Sequence, residues 1–395
     1  MVQTWEPDNA FDALTNGEEW DGSRVYADLL ARSPVAVLKG SRGGNDMWGL
    51  FRSEDIEHAA RDHETFSNVT VPEGAPRIIP LMVDPPEHTG YRRVINPFFA
   101  PKSVKAMEEQ MRPIAIDLID RMIRAGEADL SQDYAYQISI RTLCRFLRVK
   151  EDWSIYNDWS REMEDATGAG TTGAGQGLPM ELLTRIFPYI QGLIDERRAN
   201  PSDDVISGFV TGQVNGKPLD DQTIIQLVMA IIMAGKSTTA SGIGNLVLRL
   251  AREPSLQQFL RENPDRIPDA VEESLRIESP QQEMPRKATR DVEIGGVLIK
   301  QGDSVFLNYG SGNLDPDRWD QPGKFDLDRK PRQHLAFGRG MHTCFGAPLG
   351  RMQMKMTVEE LLARTKSFEL AGPVRRLTWP RLSVEAMPLR FVAAD

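Results

Sequence analysis

The sequence predicts a mainly α protein: a large helical domain with a small β-sheet region, running as one domain over residues 1–395. Three observations carry this. From Pro101 to about Arg198, apolar residues recur at helical spacing in segment after segment. An apolar run then extends from Asp220 to about Ala251, which as a helix is about 30 residues or on the order of 45 Å. Strand-like patterning is confined to residues 35–51 and 292–310.

In chain order, VAVLKG and MWGLF flank the Gly-rich SRGGND, which predicts a hairpin over residues 35–51. Residues 53–65, SEDIEHAARDHET, read as a helix with Ser53 as N-cap. GAPRIIPLMVDPPEH, residues 74–88, is apolar but punctuated by proline, so its backbone must be irregular. A long apolar loop is costly unless it covers something. Asp220 or Asp221 can cap the long helix. After residues 292–310 comes a Gly-rich loop, then a helix over about 347–365.

Composition bounds the function. Hydrophobic residues make up 40% and charged residues 26%, as in an ordinary globular protein with a large core. The formal charge is 47 − 57 = −10, which argues against a nucleic-acid partner. MVQTWEPDNAFDAL lacks the basic and apolar regions of a signal peptide. The most apolar run, LVMAIIMAG at 227–235, is roughly half a membrane span. The expectation is a cytoplasmic protein with no membrane partner. The two cysteines, Cys144 and Cys344, are too few for a structural zinc cluster. A disulfide between them is disfavoured in a reducing cytosol. Cys144 lies in the amphipathic ISIRTLCRFLRV and reads as a core thiol.

The segment MAGKSTTASG, residues 233–242, is ambiguous on its face. GKST could end a phosphate-binding loop, but the first glycine of GxxxxGK[ST] falls on Ala230, and Ile231, Ile232, Met233 and Ala234 are apolar. The helical pattern continues on both sides. A helix with a weak centre at Gly235, Ser237, Thr238 and Thr239 fits better, and such breaks often mark functional sites.

FGRGMHTCFG, residues 337–346, is more specific. Its glycines allow a tight backbone, and Cys344 lies just before a helix N-terminus, where the dipole favours a thiolate. A lone thiolate in a rigid loop suits one axial bond to haem iron.

This loop resembles the haem-binding signature of the cytochrome P-450 superfamily, FGxGxHxCxG, and matches it in full. ESLR, residues 273–276, resembles the family's ExxR pair, implying that Glu273 and Arg276 lock the core beneath the haem. DPPEHTGYRRVINPFF, residues 84–99, resembles the helix whose His and Arg hold a haem propionate, here His88 and Arg92. PRKATRDVEIGG, residues 285–296, resembles the segment supplying a further propionate arginine, here Arg286. With AGKSTT these marks span residues 84–346, and essentially the whole chain is covered. Two departures stand out. Ser237 occupies the place of the usual acid before the distal threonine, and Lys324 in PGKF replaces the arginine that often completes a triad with ExxR; lysine keeps the charge but not the bidentate geometry.

The resemblance implies the P-450 fold, haem b, O2 as co-substrate and a monooxygenase that inserts one oxygen atom into a small hydrophobic substrate, a terpenoid or aromatic. Cys344 is then the iron ligand, with Phe337 packed beside it and His342 and Gly346 completing the loop. Thr238 holds a water on the distal side. Ser237 can relay a proton but not store one, which leaves Glu283 as a candidate acid. Electrons come from NAD(P)H through a ferredoxin reductase and an iron–sulfur ferredoxin, docking near Arg92, Arg93, Lys102, Lys105, Arg339 and Arg351. The pocket draws on Ile78, Ile79, Leu81 and Met82, on Ile232 and Met233, on Gln282, Glu283 and Met284, and on Val384, with Arg77 or Glu283 as the available polar anchors. A peroxide-driven enzyme of the same fold and a non-catalytic haem sensor are the alternatives.

Overall fold

Residues 221–252 form two α-helices set end to end, and the rest of the molecule is arranged about them. In the computed structural model, residues 22–42, 45–72, 77–149, 153–167, 179–329 and 333–394 are described. The start of the chain, and with it the signal-peptide expectation, lies outside them.

Asp220 caps the first of the two helices, Asp221–Gly235, by accepting from the Thr223 N–H at 2.7 Å. Lys236 separates it from the second, Ser237–Arg252. The glycine at the break is dictated by packing: a Cβ on Gly235 would lie 2.5 Å from Leu143 Cδ2 of the crossing helix Tyr136–Phe146. By length and composition residues 221–252 could cross a bilayer, but 61% of their most apolar window is buried inside the fold. Helices Pro101–Ala125, Trp153–Thr167, Met180–Ala199 and Ala347–Arg364 surround the pair. Ile186, Ile190, Ile224 and Leu246 share one core with Leu143, and burying each such side chain contributes about 1.5–3 kcal/mol.

The β region is peripheral. The predicted hairpin is present as Val35–Arg42 paired antiparallel with Asn45–Leu50. Ser304–Asn308 adds to it in parallel, Glu283–Ala288 pairs antiparallel with that strand, and Phe66–Ser67 closes the far edge. Along Glu283–Ala288 the twofold alternation puts Met284 and Arg286 on one face and Glu283 on the other.

Two local expectations are corrected. Ser53 is the first residue of its helix, not the cap. Arg52 takes the extended cap position without a side-chain bond, and Asp315 Oδ2 accepts the Ser53 N–H at 2.7 Å. That helix ends at Arg61 rather than 65, because Asp62 turns the chain by accepting from the Thr65 N–H at 3.0 Å. Residues 77–86 carry no regular element, as their prolines require.

Candidate active site

The cysteine loop is shaped by its glycines. Gly338 and Gly340 both have φ +70°, and a Cβ on Gly340 would fall 2.4 Å from the Ala60 carbonyl oxygen. The Cys344 N–H donates to the Phe337 carbonyl at 2.9 Å, tying the loop into a closed turn ahead of helix Ala347–Arg364. Cys344 is recessed within the protein yet open on the cavity side. Burial pushes its thiol pKa up, while the N–H groups of Gly346 and Ala347 and the charge of Arg92 oppose that. A bound metal ion removes the proton outright.

The cavity above Cys344 measures about 400 Å³. Another cleft of about 580 Å³, between Arg52–Asp62 and Asp315–Arg318, is lined by charged side chains and contains none of the motifs, so the chemistry belongs to the first. His88, Arg92, Arg286 and His342 all line the Cys344 cavity. Both ring nitrogens of His88, Nε2 of His342 and Nε of Arg286 are buried without a hydrogen-bond partner. The two imidazoles lie 4.0 Å apart. Burial, then the charge of Arg92, pushes His88 down to about 4. Burial, then His88 and Arg286, pushes His342 down to about 2. Arg92 donates to the Thr343 carbonyl at 2.8 Å and to Asn96 Oδ1 at 3.1 Å. A basic edge with orphaned donors is costly by itself and is satisfied by a ligand bearing carboxylates.

Behind the cysteine side, Glu273 and Arg276 form a fully buried pair, with Oε2–Nε 2.8 Å and Oε1–Nη2 2.7 Å. Arg276 also donates to the Asn313 carbonyl at 2.7 Å. The third member is Arg329, whose Nε reaches Glu273 Oε1 at 3.1 Å. Lys324 offers Arg276 only its carbonyl oxygen, at 3.3 Å, while its ammonium lies 4.0 Å from Asp326 on a largely exposed side chain. Next to this cluster Arg351 stacks on Phe337 at 4.4 Å and pairs with Glu272 at 2.5 Å. His334 Nε2 is 3.4 Å from the same carboxylate. Burial pushes Glu272 up, but His334 and Arg351 outweigh it and hold the group at about 2.

The opposite wall is the helix break. Thr238 Oγ1 donates back to the Ala234 carbonyl at 2.7 Å, leaving its lone pairs to accept. Ser237 Oγ donates to Glu164 Oε1, on helix Trp153–Thr167. Ile78, Leu81, Met233 and Met284 line the cavity. The remaining expected pocket residues do not. Ile79 and Ile232 turn into the core, and Val384 packs against Gly244. Gln282 accepts from Tyr26 at 2.5 Å, away from the cavity, and Met82 and Arg77 are not part of its wall. Glu283 is excluded by strand alternation with Met284 and Arg286. The polar groups at this end are instead Glu164, Gln281 and Arg381, none of which carries a local sequence signal. Of the basic residues expected at a docking face, Arg93, Lys102 and Lys105 are exposed. Arg92, Arg339 and Arg351 are engaged with Thr343, with Gln333 and Glu57, and with Glu272.

A flat cofactor with two carboxylates and a thiolate-bonded metal satisfies the basic edge and the cysteine together; haem b is such a cofactor, and the fold and site define a haem-thiolate oxygenase. The family model described as Cytochrome P450 matches residues 180–377. Cytochrome P450 130 of Mycobacterium tuberculosis is 33% identical, covering 95% of this chain and 96% of its own length. The mycinamicin IV hydroxylase/epoxidase of Micromonospora griseorubida is 32% identical over 90% of each. Among solved structures, a mutant of P450 EryK in complex with erythromycin B superposes with a TM-score of 0.85 at 29% identity, covering 93% of this chain and 95% of that one. The chain belongs to the cytochrome P450 family and is a haem b-dependent monooxygenase that uses O2.

Proposed function

We propose that this monooxygenase hydroxylates or epoxidises a small, largely apolar molecule of terpenoid or aromatic type. In this reading electrons pass from NAD(P)H through a ferredoxin reductase and an iron–sulfur ferredoxin, in the cytoplasm. His88, Arg92, Arg286 and His342 hold the haem carboxylates, and Cys344 bonds the iron. Bound haem supplies oxygen activation, which the cysteine thiolate favours by donating electron density. The chain does the rest. Ile78, Leu81, Met233 and Met284 exclude water and hold the substrate by apolar contact. Thr238 accepts a hydrogen bond on the reacting side. Arg93, Lys102 and Lys105 give an acidic ferredoxin an exposed basic face.

The observation that carries the substrate reading is the cavity itself. Its wall is mostly apolar, which suits an apolar substrate. Relatives are named for mycinamicin IV and for a complex with erythromycin B, so macrolides are the comparison class.

The test is a screen of monoterpenes, arenes and macrolides for the low- to high-spin shift, followed by NADH consumption with a ferredoxin pair. Monoterpenes or arenes should shift the spectrum and yield oxygenated product. A shift only with macrolides overturns the substrate reading. Product from peroxide but not from the ferredoxin pair favours a peroxide-driven enzyme, and a shift without any product favours a sensor.

A further inference from the structure

Monooxygenation consumes protons as well as electrons: RH + O2 + 2 e⁻ + 2 H⁺ gives ROH + H2O. Both protons must enter a cavity walled mainly by apolar side chains. Among the described residues lining it there is one carboxylate, Glu164. It sits near the end of helix Trp153–Thr167 with its side chain 15% exposed, and it lines the cavity. Its Oε1 accepts the hydroxyl of Ser237, at the break of the long helix.

The groups around Glu164 come from elements far apart in the chain. Ser160 Oγ, on its own helix, is 3.2 Å from Oε1. Lys236 Nζ, from the helix break, is 3.8 Å from Oε1, and Arg381 Nη1, from the segment preceding the strand Ser383–Ala386, is 3.3 Å from Oε2. Beyond them, Glu385 stands 3.8 Å from Arg381 Nη2 and accepts from the Tyr136 hydroxyl at 3.0 Å. Arg161 adds a more distant positive charge.

We propose that Glu164 is the proton source of this cavity, acting through the hydroxyl of Ser237. The contact works in both protonation states. An ionised Glu164 accepts from Ser237, and a protonated one donates to it. When Oε1 gives up its proton to Ser237 Oγ, the hydroxyl releases its own towards the cavity, which Ser237 and Thr238 both line. Glu164 then recovers a proton from water that reaches its carboxyl group. Ser237 cannot hold a proton in reserve, but a carboxyl group can. Two cations beside the carboxylate also fix its orientation on Ser237. Glu164 therefore acts through another residue.

Glu164→Gln keeps the size and one oxygen acceptor for Ser237 but removes the titrating proton. Two measurements on the holoenzyme need no organic substrate. The first is the infrared difference spectrum between acid and neutral pH. Wild type should show a carboxyl band that shifts in D2O, is displaced in Ser237→Ala and is missing in Glu164→Gln. The second is oxygen consumption driven by NADH and a ferredoxin pair, with peroxide and water measured as products. Glu164→Gln should consume oxygen at least about ten times more slowly, within the range of positioned proton transfer. It should show a larger solvent isotope effect than wild type. Glu164→Gln/Ser237→Asp, which returns a carboxyl to the neighbouring position, should recover most of the rate. Unchanged rate and isotope effect in Glu164→Gln, or a carboxyl band indifferent to Ser237→Ala, overturn the proposal. A slowed Glu164→Gln that also loses haem or its thiolate CO spectrum and is not rescued by Ser237→Asp overturns it too, since Glu164 is then only a tie between helices. If wild type consumes no oxygen with the ferredoxin pair, the electron donor proposed above fails, and the infrared measurement still tests Glu164.

Discussion

The two walls of the Cys344 cavity are built in opposite ways. The cysteine wall comes from one ten-residue loop, and its shape follows from local backbone: two glycines at φ +70° and a hydrogen bond between Cys344 and Phe337 seven residues apart. The facing wall is assembled from residues far apart in the chain, with Glu164, Ser237, Gln281 and Arg381 meeting only once the helices have packed. A wall specified largely by one loop tolerates little change within it. A long-range wall can move a function from one element to another, as when a carboxyl group reaches Ser237 from the helix opposite.

The sharpest way to break this contrast is at the cysteine. Cys344→Ser should abolish the thiolate spectrum of the reduced CO complex completely. If the spectrum persists, the ligand is not in this loop; Cys144, buried in the main core, is the other cysteine to test. The next effect tests the support of the same wall. Glu273 and Arg276 are fully buried, so Arg276→Ala leaves a carboxylate with only Arg329 for charge. Breaking such a pair costs about 3–5 kcal/mol. Chemical denaturation of the purified holoenzyme should show it, with haem lost in the same transition.

The same difference explains what could be read from the sequence. Short-range features were legible: the helical series, the hairpin at 35–51, the cap at Asp220 and the glycines of the cysteine loop each follow from neighbours in the chain. The family's departures were visible as well, but not their resolution. Nothing around position 164 distinguishes its glutamate from the other acids on that helix, and the partner it meets is 73 residues away. Glu283 was misplaced for a simpler reason: a strand sends alternate residues to opposite faces, and Met284 and Arg286 take the cavity face. Ile79 and Ile232 look like pocket residues by composition, because apolar side chains serve a core and a cavity wall equally well.

A third prediction concerns pH. The folded protein holds Glu272 at about 2, below the ordinary 4.5, because His334 and Arg351 outweigh its burial. A depressed carboxyl pKa adds stability that is present above the unfolded value and lost as pH falls through the folded one. The shift is on the order of 3 kcal/mol before solvent screening. Glu272→Gln should therefore lower stability at neutral pH and flatten its decline between pH 4.5 and about 2. Burial holds His334 below 6.5 even with Glu272 opposing it, so removing that carboxylate should enlarge the loss that begins near pH 6.5. Denaturation midpoints across pH 2–8 check both limbs. An unaltered acid limb would mean that Glu272 does not restrain Arg351 beneath Phe337.

The smallest expected effect discriminates between a position in a motif and a position in space. Lys324 occupies the place where the family often has an arginine completing the buried pair. Its ammonium faces Asp326 at 4.0 Å on a side chain 61% exposed, and it gives Arg276 only a backbone oxygen. Lys324→Ala keeps that oxygen, so stability should change by less than about 0.5 kcal/mol, as for most surface substitutions. Arg329 is 12% exposed and adds two further bonds, to the carbonyls of Asp320 at 2.7 Å and Gln321 at 3.3 Å. Arg329→Ala removes a charge-assisted contact to a buried carboxylate and should cost about 1.5–3 kcal/mol. Denaturation of the two variants side by side measures the ratio. Equal losses would return the third place in the triad to Lys324, and with it the rule that a family position keeps its role when its residue changes. Unequal losses in the stated order mean that the charge has moved along the chain, as the acid on the far side of the cavity has done at Glu164.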